Sequence, residues 1–254
     1  MSRAIILAAG MGTRLVKGFD FPKPLKRVAG VPLIVRVLRS LERAGVTEVG
    51  IVIGYLGDAL MAGLRRYRFQ LDIELIVNDE YTKPNGTSLL KAKHLVDRPT
   101  YVLMSDHLWA PSLFREVAAF PLAEDEAVLG VDYRIDRCFD LDDATKVRLR
   151  GDRIIEIGKE IPAYHAIDTG VFRITPALIA ALEEADGPEG CSLSQGVGAL
   201  AARGKMRVAD VRGATWIDVD TPQAHQIAEY LIERYGDDLS TPADVPAATL
   251  ALGA

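Results

Sequence analysis

Cysteine is almost missing from this 254-residue chain, which holds only Cys138 and Cys191. Two cysteines cannot make a disulfide framework and lack the spacing of a zinc site, so the expected setting is a reducing cytoplasm. Basic charge is not in excess: 35 acidic against 30 basic side chains leave a net charge of −5. A general nucleic-acid binder would carry a basic face, so nucleic acid is not an expected partner. No apolar run reaches the length of a membrane span, and the first residues lack a signal-peptide pattern. The expectation is a soluble protein with no membrane insertion. Neither an internal repeat nor an evident catalytic histidine or nucleophilic cysteine is present.

What is plentiful is apolar residues, 49% of the chain, enough for one large α/β core. Arg3 to Leu7 and Val49 to Ile53 read as buried strands, Leu71 to Val77 as a third, and Tyr101 to Met104 as a fourth. Between them, Pro32 to Ala44 has the period of one helix face, Asp58 to Phe69 reads as a helix capped by Asp58, and a further helix is expected from about Ser88 to Leu95. After Gly151 the rhythm changes. Strands are expected at Arg153 to Gly158, Ala166 to Phe172 and Arg207 to Val211, with helices at Pro176 to Ala185, Leu193 to Arg203 and Thr221 to Tyr235. Thr221 would cap the last helix, with Pro222 at its first position. The alternation predicts an α/β fold with a mostly parallel central sheet and helices on both sides. The domain is expected over 1–236, a nucleotide-binding half to about 125 and an acceptor-binding half from about 126, with a tail over 237–254.

The first strand runs into Leu7-Ala8-Ala9-Gly10-Met11-Gly12-Thr13-Arg14, and Lys23 follows between Pro22 and Pro24. Gly10 and Gly12 let an anion approach successive amide N–H groups. Thr13 adds a hydroxyl, Arg14 a planar cationic fork, and the prolines stiffen the loop that delivers Lys23. The set reads as a triphosphate cradle. It is not a dinucleotide fingerprint, because Leu15 stands where a third glycine belongs, and the Gly-Lys-Ser/Thr of a P-loop is missing.

Carboxylates come next. Asp106 ends an apolar strand and is placed to hold Mg²⁺ against a triphosphate. Asp218 and Asp220 would share a face of an extended segment, and either could complete the metal site; Asp220 could instead only support the helix start. His107 follows Asp106, but neighbours on an extended segment point apart, which makes substrate contact its expected role rather than base catalysis. Asn85-Gly86-Thr87 could receive a flat base on bare backbone, or be an ordinary turn with Thr87 as helix cap.

The cradle together with Pro22-Lys23-Pro24 resembles the signature of the sugar-phosphate nucleotidyltransferases. Met104-Ser105-Asp106-His107, Asp142 to Val147, Ile157 to Ile161 and Ala166 to Phe172 together resemble the CTP:inositol-1-phosphate cytidylyltransferases, over about Ala4 to Tyr230. The resemblance implies the Rossmann-like nucleotidyltransferase fold. It implies nucleotide binding by Leu7, Ala8, Ala9, Gly10, Gly12, Thr13, Asn85, Gly86, Thr87 and Ser105, and catalytic roles for Arg14, Lys23 and Lys146. Acceptor contacts would come from His107, Lys159 and Asp168, with Mg²⁺ on Asp106, Asp220 and Asp218. The implied reaction transfers CMP from CTP to inositol 1-phosphate, releasing pyrophosphate. Such families often carry a fused membrane alcohol phosphotransferase, expected here on a separate polypeptide that takes the product. A homo-oligomer is compatible with these residues. Other acceptors, namely phosphocholine, an alditol phosphate, an aminoalkylphosphonate or a hexose 1-phosphate with UTP or dTTP, are the alternative enzyme reading. A non-catalytic nucleotide-sensing subunit is the alternative of another class.

Overall fold

The computed structural model describes residues 2–15 and 21–239. From residue 240 onward the expected tail lies outside the described residues, as does most of the loop between Arg14 and Lys23. Strand β1 (Arg3–Ala8) enters the glycine-rich turn, and a 3₁₀ turn at Lys23–Leu25 precedes the two-residue strands β2 (Arg27–Val28) and β3 (Val31–Pro32). Then come α1 (Leu33–Arg43), β4 (Glu48–Ile53), α2 (Gly57–Leu64), β5 (Asp72–Val77), α3 (Asn85–Lys91) and β6 (Thr100–Met104). The middle of the chain gives β7 (His107–Trp109), α4 (Pro111–Ala119), β8 (Ala127–Asp132), β9 (Lys146–Arg150), β10 (Arg153–Gly158) and β11 (Ala166–Ile174). The last elements are α5 (Pro176–Ala185), α6 (Leu193–Ala202), β12 (Met206–Asp210), β13 (Trp216–Asp218) and α7 (Pro222–Tyr235).

Nine strands form one sheet in the order β5-β4-β1-β6-β11-β8-β12-β10-β9. The first four run parallel, as do β8 and β12, whereas β11 is antiparallel to both β6 and β8 and β10 is antiparallel to β9 and β12. The expected parallel pairing therefore describes the first half, and the second half is mixed. β1 alternates between two cores. Ala4, Ile6 and Ala8 pack with residues of α1, α2, α4 and α7, while Ile5 and Leu7 pack on the other face with α3, α5 and α6. A strand covered on both faces must be apolar at every position, which is why Arg3 to Leu7 reads as a continuous run.

Two helix expectations are corrected. The second helix does not start on an Asp58 cap or reach Phe69: it is entered through Leu56 in the left-handed conformation (φ 51°), ends at Leu64, and holds Asp58 in its first turn. There the charge still suits the positive end of the helix dipole. The third begins at Asn85, three residues earlier than expected, because Thr87 donates its backbone N–H to Pro84 and Cys191 carbonyls and lies inside the first turn. The final helix follows its sequence signals: Thr221 accepts a hydrogen bond from the Ala224 N–H at 3.1 Å, with Pro222 at the first position.

Candidate active site

The carboxyl end of β1 and the residues after β6 lie side by side, since the Ser105 N–H donates to the Leu7 carbonyl. Two residues later β7 pairs with β13 in a small separate sheet, with Asp218 directly opposite His107. The Val219 N–H donates to the Asp106 carbonyl at 3.0 Å. This pairing carries Asp218 and Asp220, more than a hundred positions away in the chain, to Asp106. Gly12, at φ +62°, lets the Lys23 side chain run beside it; a Cβ there would overlap the lysine. Gly10 has ordinary φ and open space around its Cα, so the fold itself does not demand glycine at that position.

Charges alternate along the site. Lys159 Nζ lies 2.5 Å from Asp143 Oδ1, and the other Asp143 oxygen meets Arg14. The second arm of the Arg14 fork meets Asp220, whose other oxygen meets Lys23, and Lys23 Nζ lies 2.5 Å from Asp106 Oδ2. Asp106 Oδ1 faces His107 Nδ1 at 3.0 Å. Burial works against the Asp106 charge, but Lys23 and His107 overcome it and hold the carboxyl well below its usual range. Burial likewise opposes charge on His107, yet Asp218, Asp106 and Asp168 lift the imidazole to about 9, so it is a cation at neutral pH. Asp168 is pushed up to about 6 by burial, against the Gly170 N–H that it accepts at 2.7 Å. His107 is further fixed by an indole, Trp216, stacked at 6.3 Å between ring centroids, whose Nε1–H reaches Asp132 Oδ2 at 3.0 Å.

Two hollows open on this line. One, of about 360 Å³, is walled by Leu7, Ala8, Ala9, Gly10, Gly12, Thr13, Lys23 and Ser105. The other, of about 270 Å³, is walled by His107, Asp168, Lys159, Asp143, Asp218 and Trp216. Each suits one small molecule rather than a polymer. Arg14, Asn85, Met104, Asp106 and Asp220 line both, so the hollows meet across the charged residues. Oxygen donors of Asp106 and Asp218, with a His107 nitrogen, fall within 4.8 Å of one another, and Asp218 Oδ1 is buried without a hydrogen-bond partner. A carboxylate pair with a buried oxygen whose ion-pair neighbour, the His107 ring at 3.7 Å, lies beyond hydrogen-bond reach fits a hard divalent cation.

The sequence profile of the MobA-like NTP transferase domain matches residues 4–190. The chain belongs to this family. A bifunctional IPC transferase and DIPP synthase of Rubrobacter xylanophilus is 37% identical over 231 residues, 90% of this chain and 51% of that protein. The chain thus spans about half the length of that relative. A CMP-5'-(3-aminopropyl)phosphonate synthase of Streptomyces rubellomurinus is 30% identical over 244 residues, 90% of this chain and 38% of that one. Among solved structures, the inositol-1-phosphate CTP transferase from T. maritima superposes with a TM-score of 0.77 at 29% identity, covering 92% of this chain and 97% of the other.

In this MobA-like domain, most residues singled out from the sequence converge. Three do not reach the hollows. Lys146 turns its ammonium onto the carbonyls of Lys159, Asp142 and Ala144, 2.8 to 3.4 Å away, and lines neither hollow. Gly86 is buried against the loop before α6, where a Cβ would come 2.6 Å from the Cys191 carbonyl oxygen. Thr87 is buried beside it, its hydroxyl facing the Cys191 N–H at 3.4 Å. Both are packed against the Cys191 loop at the start of α3, and neither lines a hollow. Asp106 and His107 were expected to point apart. They touch because Asp106 sits in a turn, where strand alternation does not apply. Asp143, Trp216, Tyr81, Lys83 and Ser88 also line the hollows but are not among the site residues expected from the sequence. Trp216 shares the two-residue spacing of Asp218 and Asp220, which would have placed it on their face.

Proposed function

We propose that this protein is a cytidylyltransferase that moves CMP from CTP to inositol 1-phosphate, giving CDP-inositol and pyrophosphate. The observation that carries the reading is the shared wall: Asp106, Asp220 and Arg14 face both hollows, so a phosphate in each would meet at them. The relatives that act on inositol 1-phosphate or carry CMP on their product support the choice of nucleotide and acceptor.

Chemistry follows from charge. A phosphomonoester has its second pKa near 6, so the acceptor oxygen is already ionised at neutral pH. It attacks the α-phosphorus of CTP, a new P–O bond forms, and the bond to the β-phosphate breaks to release pyrophosphate. No side chain has to remove a proton. His107, held as a cation, is unsuited to that task and instead offers positive charge to the acceptor hollow. The Cys138 thiol, pushed up to about 11 chiefly by burial, is no nucleophile at neutral pH. Lys23 and Arg14 can turn from their carboxylates to the phosphates of the nucleotide, and Lys159 to that of the acceptor. Asp168 accepts from an acceptor hydroxyl. When bound, Mg²⁺ on Asp106, Asp218 and Asp220 would supply the charge that offsets the reacting phosphates.

The CDP-linked product would serve a membrane CDP-alcohol phosphotransferase. No helix among the described residues is long and apolar enough to cross a membrane, and Cys138 and Cys191 are free thiols. A cytoplasmic setting is part of the proposal. The test is pyrophosphate release over a grid of CTP, UTP and dTTP against inositol 1-phosphate, phosphocholine, an alditol phosphate, an aminoalkylphosphonate and a hexose 1-phosphate. The expected outcome is the highest kcat/KM for CTP with inositol 1-phosphate. Preference for another pair overturns the acceptor assignment, and CTP binding without turnover on any acceptor overturns the enzyme reading.

A further inference from the structure

Among the charged residues of the site, Asp143 has a position that the transfer chemistry does not by itself require. It projects from the segment between β8 and β9, and it lines the second hollow without reaching the first. One of its oxygens meets Arg14, which comes from the turn after β1, and the other lies 2.5 Å from Lys159 Nζ, which comes from the bend after β10. Both cations are about half exposed, with side-chain exposures of 49% for Arg14 and 48% for Lys159. Long side chains of like charge in that situation repel each other and gain entropy by fanning into solvent. A carboxylate with one oxygen for each cancels the repulsion and fixes both heads at one point. We propose that Asp143 is a positioning residue that gathers the Arg14 guanidinium and the Lys159 ammonium onto the common rim of the two hollows, one from the nucleotide side and one from the acceptor side. The inference rests on the group-transfer reading given above.

The segment that carries Asp143 is itself tied down. The Ala144 N–H donates to the Asp140 carbonyl at 2.9 Å, the Asp168 N–H to the Thr145 carbonyl at 2.9 Å, and Lys146 binds the carbonyls on both sides of the gap. Lys146 therefore joins the Asp143 segment to the Lys159 bend from outside, which accounts for its absence from either hollow. Arg14 has a second anchor in Asp220. Its fork is consequently spanned between Asp220, which also meets Lys23, and Asp143 on the wall of the second hollow, and loss of Asp143 would leave it pivoting on Asp220 alone. Exposed ion pairs contribute little to stability, so a purely structural role predicts silent kinetics, whereas positioning predicts the reverse.

The experiment compares Asp143→Asn with wild type, with Asp143→Glu, and with Asp143→Asn placed in Arg14→Ala, Lys159→Ala and doubly substituted backgrounds. All are assayed for CTP-dependent pyrophosphate release and by thermal unfolding. The expected result for Asp143→Asn is a rise in acceptor KM and a fall in kcat, each about tenfold, with an unchanged unfolding midpoint. Asp143→Glu should recover part of the loss. In the background lacking both Arg14 and Lys159, the substitution should do nothing further, as expected of groups that act as a unit. Kinetic constants of Asp143→Asn within about twofold of wild type, or an equal loss in every background, would overturn the proposal. If the wild type prefers another acceptor, the same comparison is made with that acceptor, and only the substrate assignment fails. If it turns over nothing, calorimetric titration with CTP decides instead. Weaker binding by Asp143→Asn that vanishes in the Arg14→Ala background supports positioning, and unchanged or tighter binding refutes it.

Discussion

Lys23 Nζ lies 2.5 Å from Asp106 Oδ2 and also touches Asp220, so one buried ammonium joins two carboxylates from distant parts of the chain. Replacing it by Met leaves those carboxylates facing each other with little solvent. Lys23→Met is expected to lower stability by up to about 3 kcal/mol in the presence of a chelator, because an unpaired buried charge is costly. Millimolar Mg²⁺ should restore part of the loss, and thermal unfolding with and without the cation reads both effects. Turnover should fall by about 10²–10³, the cost of removing one well-placed electrostatic group. A folded variant working at the wild-type rate would discard the assigned role.

Lys146 and Lys159, for which the resemblance implies a catalytic role and an acceptor contact, are separated by the structure. Lys159 faces the second hollow and Lys146 faces backbone carbonyls. Lys159→Ala should raise the acceptor KM by about tenfold or more, as loss of a charge-assisted contact does. Lys146→Ala should change acceptor KM far less and lower the unfolding midpoint instead. Steady-state kinetics on the two variants would show the contrast, and equal effects on KM would remove the distinction.

Gly170 has φ +74°, and a Cβ on it would run into the His107 ring. Gly170→Ala is therefore expected to cost about 1–2 kcal/mol from backbone conformation alone, with a further cost from displaced imidazole. Acceptor KM should rise in the same variant, because the ring would move within the second hollow. Denaturant melts and kinetics together check this; an Ala variant as stable as wild type would mean that the backbone relaxes freely.

The two shifted groups of the second hollow give two pH limbs of the same sign in different windows. His107 has its folded pKa raised from 6.5 to about 9, so its contribution is fully present below 6.5 and is lost as pH climbs through about 9. Asp168 has its folded pKa raised from 3.8 to about 6, so the folded protein binds the proton more tightly and loses stability as pH climbs from about 4 to about 6. Metal-free protein should thus melt at lower temperature as pH rises through both windows. Asp168→Asn should flatten the acidic limb and stabilise the protein at pH 7 by at most about 3 kcal/mol, while weakening acceptor binding. His107→Gln should flatten the alkaline limb. Melting temperatures across pH 4–10 that ignore both substitutions would contradict the assignments.

The wall of the first hollow was legible because its geometry is local. Gly10, Gly12, Arg14 and Lys23 lie close together in sequence, and the physical demands on such a turn leave a readable pattern. The carboxylate pair was legible more indirectly, through the end of an apolar strand at Asp106 and the start of a helix after Asp220. Thr87 and Gly86 stayed open because a helix start and a base-binding turn use the same small and hydroxylated residues, and their packing against the Cys191 loop, a hundred positions away, has no local signal. Asp143 had no local signal: its meaning comes from Arg14 and Lys159, which topology alone places beside it. In the fold, the buried strands β1, β4 and β6 and the Thr221 cap of α7 were clear, whereas β8, buried along its whole length, was not expected and the Asp58 cap was misplaced. Two-residue strands such as β2 and β3 and the small β7–β13 pair are too short for periodicity to show, and their partners lie far along the chain.

β11 hydrogen-bonds to β6 on one side and β8 on the other, although both precede it in the chain. During synthesis those two strands must wait with open edges until the chain as far as Ile174 has left the ribosome. Non-local pairing of this kind is slow, and unpaired edges invite association. A chain stopped before Ile174 would thus keep open strand edges on β6 and β8, exposing it to clumping before the sheet is joined.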